Sequence, residues 1–151
     1  MRCPGARTRY TPARARGVFY FGCNKDPSGA REFDRDNPTI GRCFRRHVQD
    51  YVQLWPTPDQ FNRLLDDVGL MQRTQPNYSA ADLAQISVPV AVAQSEHDEF
   101  IEREHAEYLA TTIPDGRLML LPGVNHFAPL QDPQLFNATV VEFLSGLPPN
   151  N

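Results

Sequence analysis

Val88-Pro89-Val90-Ala91-Val92-Ala93-Gln94-Ser95-Glu96-His97-Asp98 and, further along, Leu118-Met119-Leu120-Leu121-Pro122-Gly123-Val124-Asn125-His126 are the stretches whose reading decides the fold. Each begins as a continuous apolar run and gives way to loop-type residues, Gln94-Ser95 in one and Pro122-Gly123 in the other. A strand with one wet face alternates apolar and polar residues. A short unbroken run suits a strand covered on both faces, as in a parallel sheet. Val18-Phe19-Tyr20-Phe21, ended by Gly22, has the same character and supplies a third strand.

The sequence between and after these runs is helical. Ile101, His105, Tyr108 and Leu109 recur at helical spacing among Glu102, Arg103, Glu104 and Glu107, which predicts a helix over about Ile101–Thr112. Pro114-Asp115-Gly116 supplies its stop and a turn. Asp132-Pro133 offers an N-cap followed by proline at the first helical position. Leu135, Phe136, Val140, Phe143, Leu144 and Leu147 then form the apolar side of a final helix. Strand, helix, strand, helix is the pattern of right-handed βαβ units. The expected class is α/β, with about three parallel strands flanked by helices.

The segment from Asn24 to about Ala84 is too long for a bare loop and reads as a helical insertion. Asn37-Pro38 leads into a helix around Ile40–Leu54, broken by Trp55-Pro56. Thr57-Pro58-Asp59 caps a second helix to about Met71, with Phe61, Leu64, Leu65 and Val68 as its apolar stripe. Ser79 and Asp82 resemble a capping box that opens a short turn. Arg42, Arg45, Arg46 and His47 read as a solvated helix face.

The chain has 151 residues, of which 40% are apolar, enough for one folded domain with a modest core. A formal net charge of −3 gives no basis for nucleic-acid or anionic-membrane partners, although Arg2, Arg7, Arg9, Arg14 and Arg16 crowd the start. No run approaches the ~20 apolar residues of a membrane span, and the start lacks the apolar core of a secretory signal. Cys3, Cys23 and Cys43 are odd in number and stand at no metal-ligand spacing. Free thiols in a reducing compartment, the cytoplasm, account for them.

Asp98 lies just past the second apolar run and His126 just past the third. In a parallel sheet the loops leaving the carboxyl ends of adjacent strands converge on one crevice, so the two side chains can meet. An Asp that orients a His as general base is the rear of a nucleophile–His–acid triad. The surrounding Glu96, His97, Glu99, Glu102, Glu104 and His105 read as a solvated helix start facing the positive end of the helix dipole. With no H-E-x-x-H and no Cys partners they make no metal site, and no cofactor is expected.

With those residues in place, the chain from about Tyr10 to Leu147 resembles the C-terminal half of a bacterial α/β-hydrolase-fold enzyme. The resemblance is carried by Thr11-Pro12-Ala13-Arg14-Ala15-Arg16-Gly17-Val18, Ile86-Ser87-Val88-Pro89-Val90, Asp98, Ile113-Pro114, Leu121-Pro122-Gly123, His126 and Asp132-Pro133, in the family's order and spacing. Acid before histidine is also the family's chain order. Ser95 stands where the family usually has glycine, a mild change in a turn.

The resemblance implies a partial α/β-hydrolase fold divided into four parts. Residues 1–23 are the remnant of the post-nucleophile helix and the first strand. Residues 24–84 are a cap insertion, 85–147 carry the acid and the histidine, and 148–151 are a disordered tail. It also implies hydrolysis of a small ester-like substrate, with Phe44, Tyr51, Trp55, Phe61 and Phe127 as candidate linings of an acyl pocket. Dehalogenases and carbon–carbon bond hydrolases share the same motifs.

The family's nucleophile sits on a G-x-S-x-G turn, which does not occur here. Of the serines, Ser28, Ser79, Ser87, Ser95 and Ser145, none follows a strand and opens a helix, and Cys23 is the nearest thiol alternative. Two expectations follow. One is a hydrolase whose nucleophile comes from outside this sequence. The other is a silent, truncated module that self-associates, as a homodimer or larger, through the exposed Val18–Phe21 edge.

Overall fold

The computed structural model describes residues 15–32 and 36–149. Most of the Arg-rich start, Cys3, the Thr11–Arg14 part of the link into the first strand and the last two residues of the tail lie outside the described residues.

Three strands form one parallel sheet in the order β1 (Val18–Phe21), β2 (Val90–His97), β3 (Gly116–Asn125). The central strand explains the unbroken apolar run. Val90 and Val92 face one core with Leu83, Ala106, Leu109, Ala110 and Ile113, while Ala91 and Ala93 face another with Met119, Leu121, Val124, Ala128 and Phe143. β1 divides in the same way, Val18 and Tyr20 to the first core and Phe19 and Phe21 to the second. On the second side the small Ala91 and Ala93 leave room for rings. Phe136 meets Phe19 and Phe21 edge-on, with centroids 5.9 and 5.1 Å apart, contacts worth about 0.5–1.5 kcal/mol each beyond their burial.

The helix between β2 and β3 and the final helix are where the periodicity predicts them. We number the helices α1 (Pro38–Leu54), α2 (Phe61–Thr74), α3 (Ala80–Leu83), α4 (Arg103–Thr112), α5 (Ala128–Gln131) and α6 (Pro133–Ser145). α4 starts slightly late because Ile101 is taken by a backbone bridge to Ala30. Tyr108 is exposed rather than core, with the Lys25 ammonium 5.4 Å from its ring centre. α6 is capped by the Asp132 carboxylate, which accepts from the Leu135 N–H at 2.9 Å. Leu144, expected on its apolar side, faces solvent. Gly116 is where β3 passes the end of α4: a Cβ there would lie 2.5 Å from the Ala110 carbonyl oxygen.

Two expectations about β2 and β3 need correction. Pro122 and Gly123 are not a loop; β3 continues through them to Asn125, with Gly123 at φ +67°. Ser95 is likewise inside β2 rather than in a turn. It is buried, and its hydroxyl has no hydrogen-bond partner among the described residues. Such an unpaired buried hydroxyl costs about 1–3 kcal/mol.

The insertion between β1 and β2 is helical, as its length implies. Asn37 caps α1, its side chain accepting from the N–H groups of Thr39 and Ile40. Ser79 and Asp82 form a reciprocal capping box for α3. Thr57 makes no side-chain cap; a single turn over Pro58–Gln60 precedes α2 instead. α2 buries no residue, and Leu64 and Leu65 of its expected stripe are exposed. No described helix is long and apolar enough to cross a membrane.

Candidate active site

Asp98 is the first residue beyond β2, and its turn is built on its own carboxylate. Oδ1 accepts from the N–H groups of Phe100 (2.9 Å) and Ile101 (3.0 Å), which turns the side chain inward until it is 1% exposed. His126 is the first residue beyond β3, and its Nδ1 lies 3.0 Å from Asp98 Oδ2 and 3.1 Å from Oδ1. A carboxylate facing Nδ1 assigns the proton there and leaves Nε2 as the basic nitrogen. The histidine is 28% exposed, so the imidazole is partly open while the carboxylate is sealed.

Aromatic rings enclose the imidazole. Phe100 and Phe127 meet it edge-on at 4.8 and 5.6 Å, and Phe21 stacks at 6.3 Å. Gly22 closes the remaining side. It adopts φ +53°, and a Cβ there would lie 3.0 Å from His126 Cε1 and 3.5 Å from Asp98 Oδ2. Both the backbone conformation and the space require glycine.

Of the acids grouped around Asp98, Glu104 is exposed in the first turn of α4, as a solvated helix start requires, but Glu96 and Glu99 are not part of it. Glu96 Oε2 accepts from the Gly123 N–H at 2.7 Å, and Glu99 Oε2 accepts from the His126 N–H at 3.1 Å, so both reach across to the chain that carries the histidine, Glu96 to a residue within β3 and Glu99 to the residue just beyond it. Glu102 instead pairs with Arg31 at 3.5 Å, and Arg31 also donates to the Asp98 carbonyl at 2.8 Å. A polar hollow of about 430 Å³, lined by Arg31, Asn37, Glu96, His97, Asp98 and Glu99 among others, opens beside the acid. Among the described residues, no three His, Cys, Asp or Glu side chains converge as a metal requires.

The segment after β1 is strapped over the acid's turn. Arg31 N–H donates to the Phe100 carbonyl at 2.8 Å, and Glu102 N–H to the Gly29 carbonyl at 2.9 Å. Lys25 N–H donates to His105 Nε2 at 3.1 Å. The buried His105 is therefore a structural acceptor. Burial holds its pKa below the ordinary value, with the Lys25 charge acting in the same direction and the Asp26 carboxylate against it. A histidine whose folded pKa is lowered stabilises the fold above its unfolded pKa of 6.5 and loses that contribution as pH falls toward the folded value. Thermal melts from about pH 7 down to about pH 5 should show a drop in Tm that is flatter in His105→Gln. An equal pH response in both proteins would rule His105 out as the cause.

Of the five aromatics expected to line a pocket, Phe127 lies on the His126 ring. The other four pack on one another between α1 and α2: Phe44 on Phe61 at 5.8 Å, and Tyr51 on Phe61 and Trp55 at 5.2 and 5.6 Å. α1 approaches the imidazole through His47, whose ring is 5.9 Å from Phe127. Cys23 is exposed, and its thiol donates to the Phe21 carbonyl. Desolvation and, after it, the Asp98 charge push the thiol pKa up, the opposite of activation. Ser28 sits in a single turn, Ser79 caps α3 and Ser145 ends α6, so with Ser87 exposed and Ser95 sealed in β2 none forms a strand-to-helix elbow. Phe21, Gly22, Glu99, Phe100 and Arg31 were not expected at the site. Only Gly22, a glycine ending a strand, carried a visible signal.

No family model matches the chain. Over 65 residues it is 31% identical to "Putative carbamate hydrolase RutD" of Pseudomonas savastanoi pv. phaseolicola, a match covering 43% of this chain and 25% of that protein. The structure superposes on a thermophilic esterase from Thermogutta terrifontis with a TM-score of 0.54 at 18% identity, covering 91% of this chain and 58% of the esterase. On Rv0554 from Mycobacterium tuberculosis the TM-score is 0.56 at 18% identity, covering 93% and 60%. The chain thus spans a quarter of the curated relative's length and about three fifths of these solved structures. Three parallel strands, their flanking helices and these superpositions together make the chain a partial α/β-hydrolase fold.

Proposed function

We propose that the protein is the acid- and base-bearing part of a carboxylic-ester hydrolase, in which Asp98 orients His126 within a nucleophile–His–acid triad. The observation that carries this reading is the buried Asp98 carboxylate against His126 Nδ1 at 3.0 Å. Nε2 takes the proton of the nucleophile as it attacks the ester carbonyl, and returns it to the leaving alkoxide when the tetrahedral intermediate collapses. Asp98 fixes the tautomer and stabilises the imidazolium formed between those steps. Phe21, Phe100 and Phe127 cover part of the imidazole and offer apolar surface to an acyl chain.

Ester hydrolysis is the activity named for the Thermogutta terrifontis protein, and carbamate hydrolysis for RutD. Both are acyl transfers that a histidine base serves. The nucleophile and the oxyanion donors come from a segment or polypeptide beyond the residues described, and the helices between β1 and β2 act as the cap. Cys23 and Cys43 are free, which fits a reducing, cytoplasmic setting.

A second reading is a silent module that self-associates, and the position of β1 favours it. β1 is at the sheet edge and bonded to β2 on one side among the described residues. Beside it a hollow of about 510 Å³, largely apolar, is lined by Val18, Tyr20, Leu83, Ile86 and Leu109 with others. Hydrolysis of short-chain p-nitrophenyl esters by the purified protein, beside His126→Ala, separates the two. The hydrolase reading expects turnover, once the nucleophile-bearing segment or polypeptide is present, that falls about a hundredfold or more in the variant. Turnover indifferent to His126 would end that reading. No turnover from a stable dimer in light scattering would favour the second.

A further inference from the structure

We propose that Glu99 is a positioning residue for His126, holding its main chain so that the ring meets Asp98. The inference rests on the acid–base reading of that pair. His126 stands just beyond the sheet, because the last residues in register between β2 and β3 are His97 and Asn125. From the end of β3 into the loop beyond it, several N–H groups are taken by side chains. Gly123 donates to Glu96, Asn125 to Gln131 Oε1 at 2.7 Å, His126 to Glu99 and Phe127 to Asn125 Oδ1 at 3.0 Å. A main chain held this way is only as well placed as the acceptors that hold it.

Among these acceptors Glu99 has a particular place. It is adjacent in the chain to Asp98, so one turn supplies both anchors of the histidine, one on the ring and one on the backbone. An imidazole held at Nδ1 alone can pivot about that contact; a second anchor at its own N–H removes the freedom. The turn itself is fixed by the Phe100 and Ile101 N–H groups on Asp98 Oδ1 and by Arg31 on the Asp98 carbonyl. Glu99 lies before the start of α4 at Arg103, so a helix-dipole role does not account for it. Two consecutive carboxylates directed at one residue repel each other, and the N–H donors with the Arg31 charge offset that repulsion.

The test is ¹⁵N NMR of the His126 ring, in which protonated and unprotonated imidazole nitrogens are well separated. The wild-type protein should show Nδ1 protonated and Nε2 bare. In Glu99→Ala the two signals should converge toward those of a free, tautomer-averaged imidazole, and Glu99→Gln, which keeps an acceptor oxygen, should restore the separation. Asp98→Asn serves as the reference. If Asp98→Asn alters the ring signals and Glu99→Ala leaves them as in wild type, the positioning role is overturned and the pair stands. If neither substitution alters them, the acid–base pairing itself is overturned. Should Glu99→Ala fail to fold, Glu99→Asp carries the same test, since its shorter side chain withdraws the oxygen. Convergence there supports the proposal, and wild-type signals overturn it.

Discussion

Asp98→Ala should lower the stability of the fold by about 3 kcal/mol, because it strips the acceptor from three donors at once. The Phe100 and Ile101 N–H groups and the His126 ring all point at this one carboxylate, whose side chain is 1% exposed. Each donor left unpaired in a dry place costs about 1–3 kcal/mol, and partial solvation of His126 keeps the sum toward the lower end. In a domain of this size the loss should lower Tm by roughly 10 °C. Asp98→Asn retains one acceptor oxygen and should cost about 1 kcal/mol. Urea unfolding of the two variants reads the difference. An alanine variant within about 0.5 kcal/mol of the wild type would show that the turn does not depend on the carboxylate.

Gly29→Ala should be the most damaging single methyl in the strap. The added Cβ would sit 2.5 Å from His105 Cγ and Cδ2 and 2.7 Å from Nδ1. The ring cannot easily retreat, because it is buried and its Nε2 holds the Lys25 N–H. Overpacking of this kind costs about 1–3 kcal/mol. The contact is specific to the ring, so His105→Ala should absorb much of the damage. The double variant should then be more stable than the sum of the two single losses implies, by about 1 kcal/mol or more. Strict additivity would mean that Gly29 and His105 do not press on each other.

Much of this architecture can be read from the residues because the relevant signals are repetitive. Val90 to Ala93 is apolar without alternation since both faces of β2 are covered, and that fact alone calls for a parallel sheet with helices on each side. From the parallel sheet it follows that Asp98 and His126, each just past a strand's carboxyl end, share a crevice. The rest of the site depends on turn geometry that no periodicity reports. Glu96 and Glu99 look like any acids near a helix start until the chain turns them toward Gly123 and His126. Phe100 reaches the imidazole only because Asp98 caps its own turn. The aromatics of α1 and α2 are a different case: Phe44, Tyr51, Trp55 and Phe61 pack on one another, a mutual arrangement that residue type alone does not reveal. Ser95 reads as a loop residue because a hydroxyl at the end of an apolar run is a loop signal, whereas the structure carries it into the strand.

The long insertion between β1 and β2 also sets an order of assembly. Val90 pairs with Gly116 across 26 positions of chain, but Val18 pairs with Val90 across 72 (positions 90 and 116, then 18 and 90). Loop-closure entropy grows as about (3/2)RT ln n, so bringing β1 home costs roughly 0.9 kcal/mol more than joining β2 to β3. β1 is also a four-residue strand at the edge, with every residue only partly buried. It is therefore the last strand to dock and the first to leave, and native-state hydrogen exchange should find its amides opening below the global unfolding free energy. Phe21 and Gly22 travel with it, so the imidazole loses one wall each time that strand lets go while Asp98 still holds it.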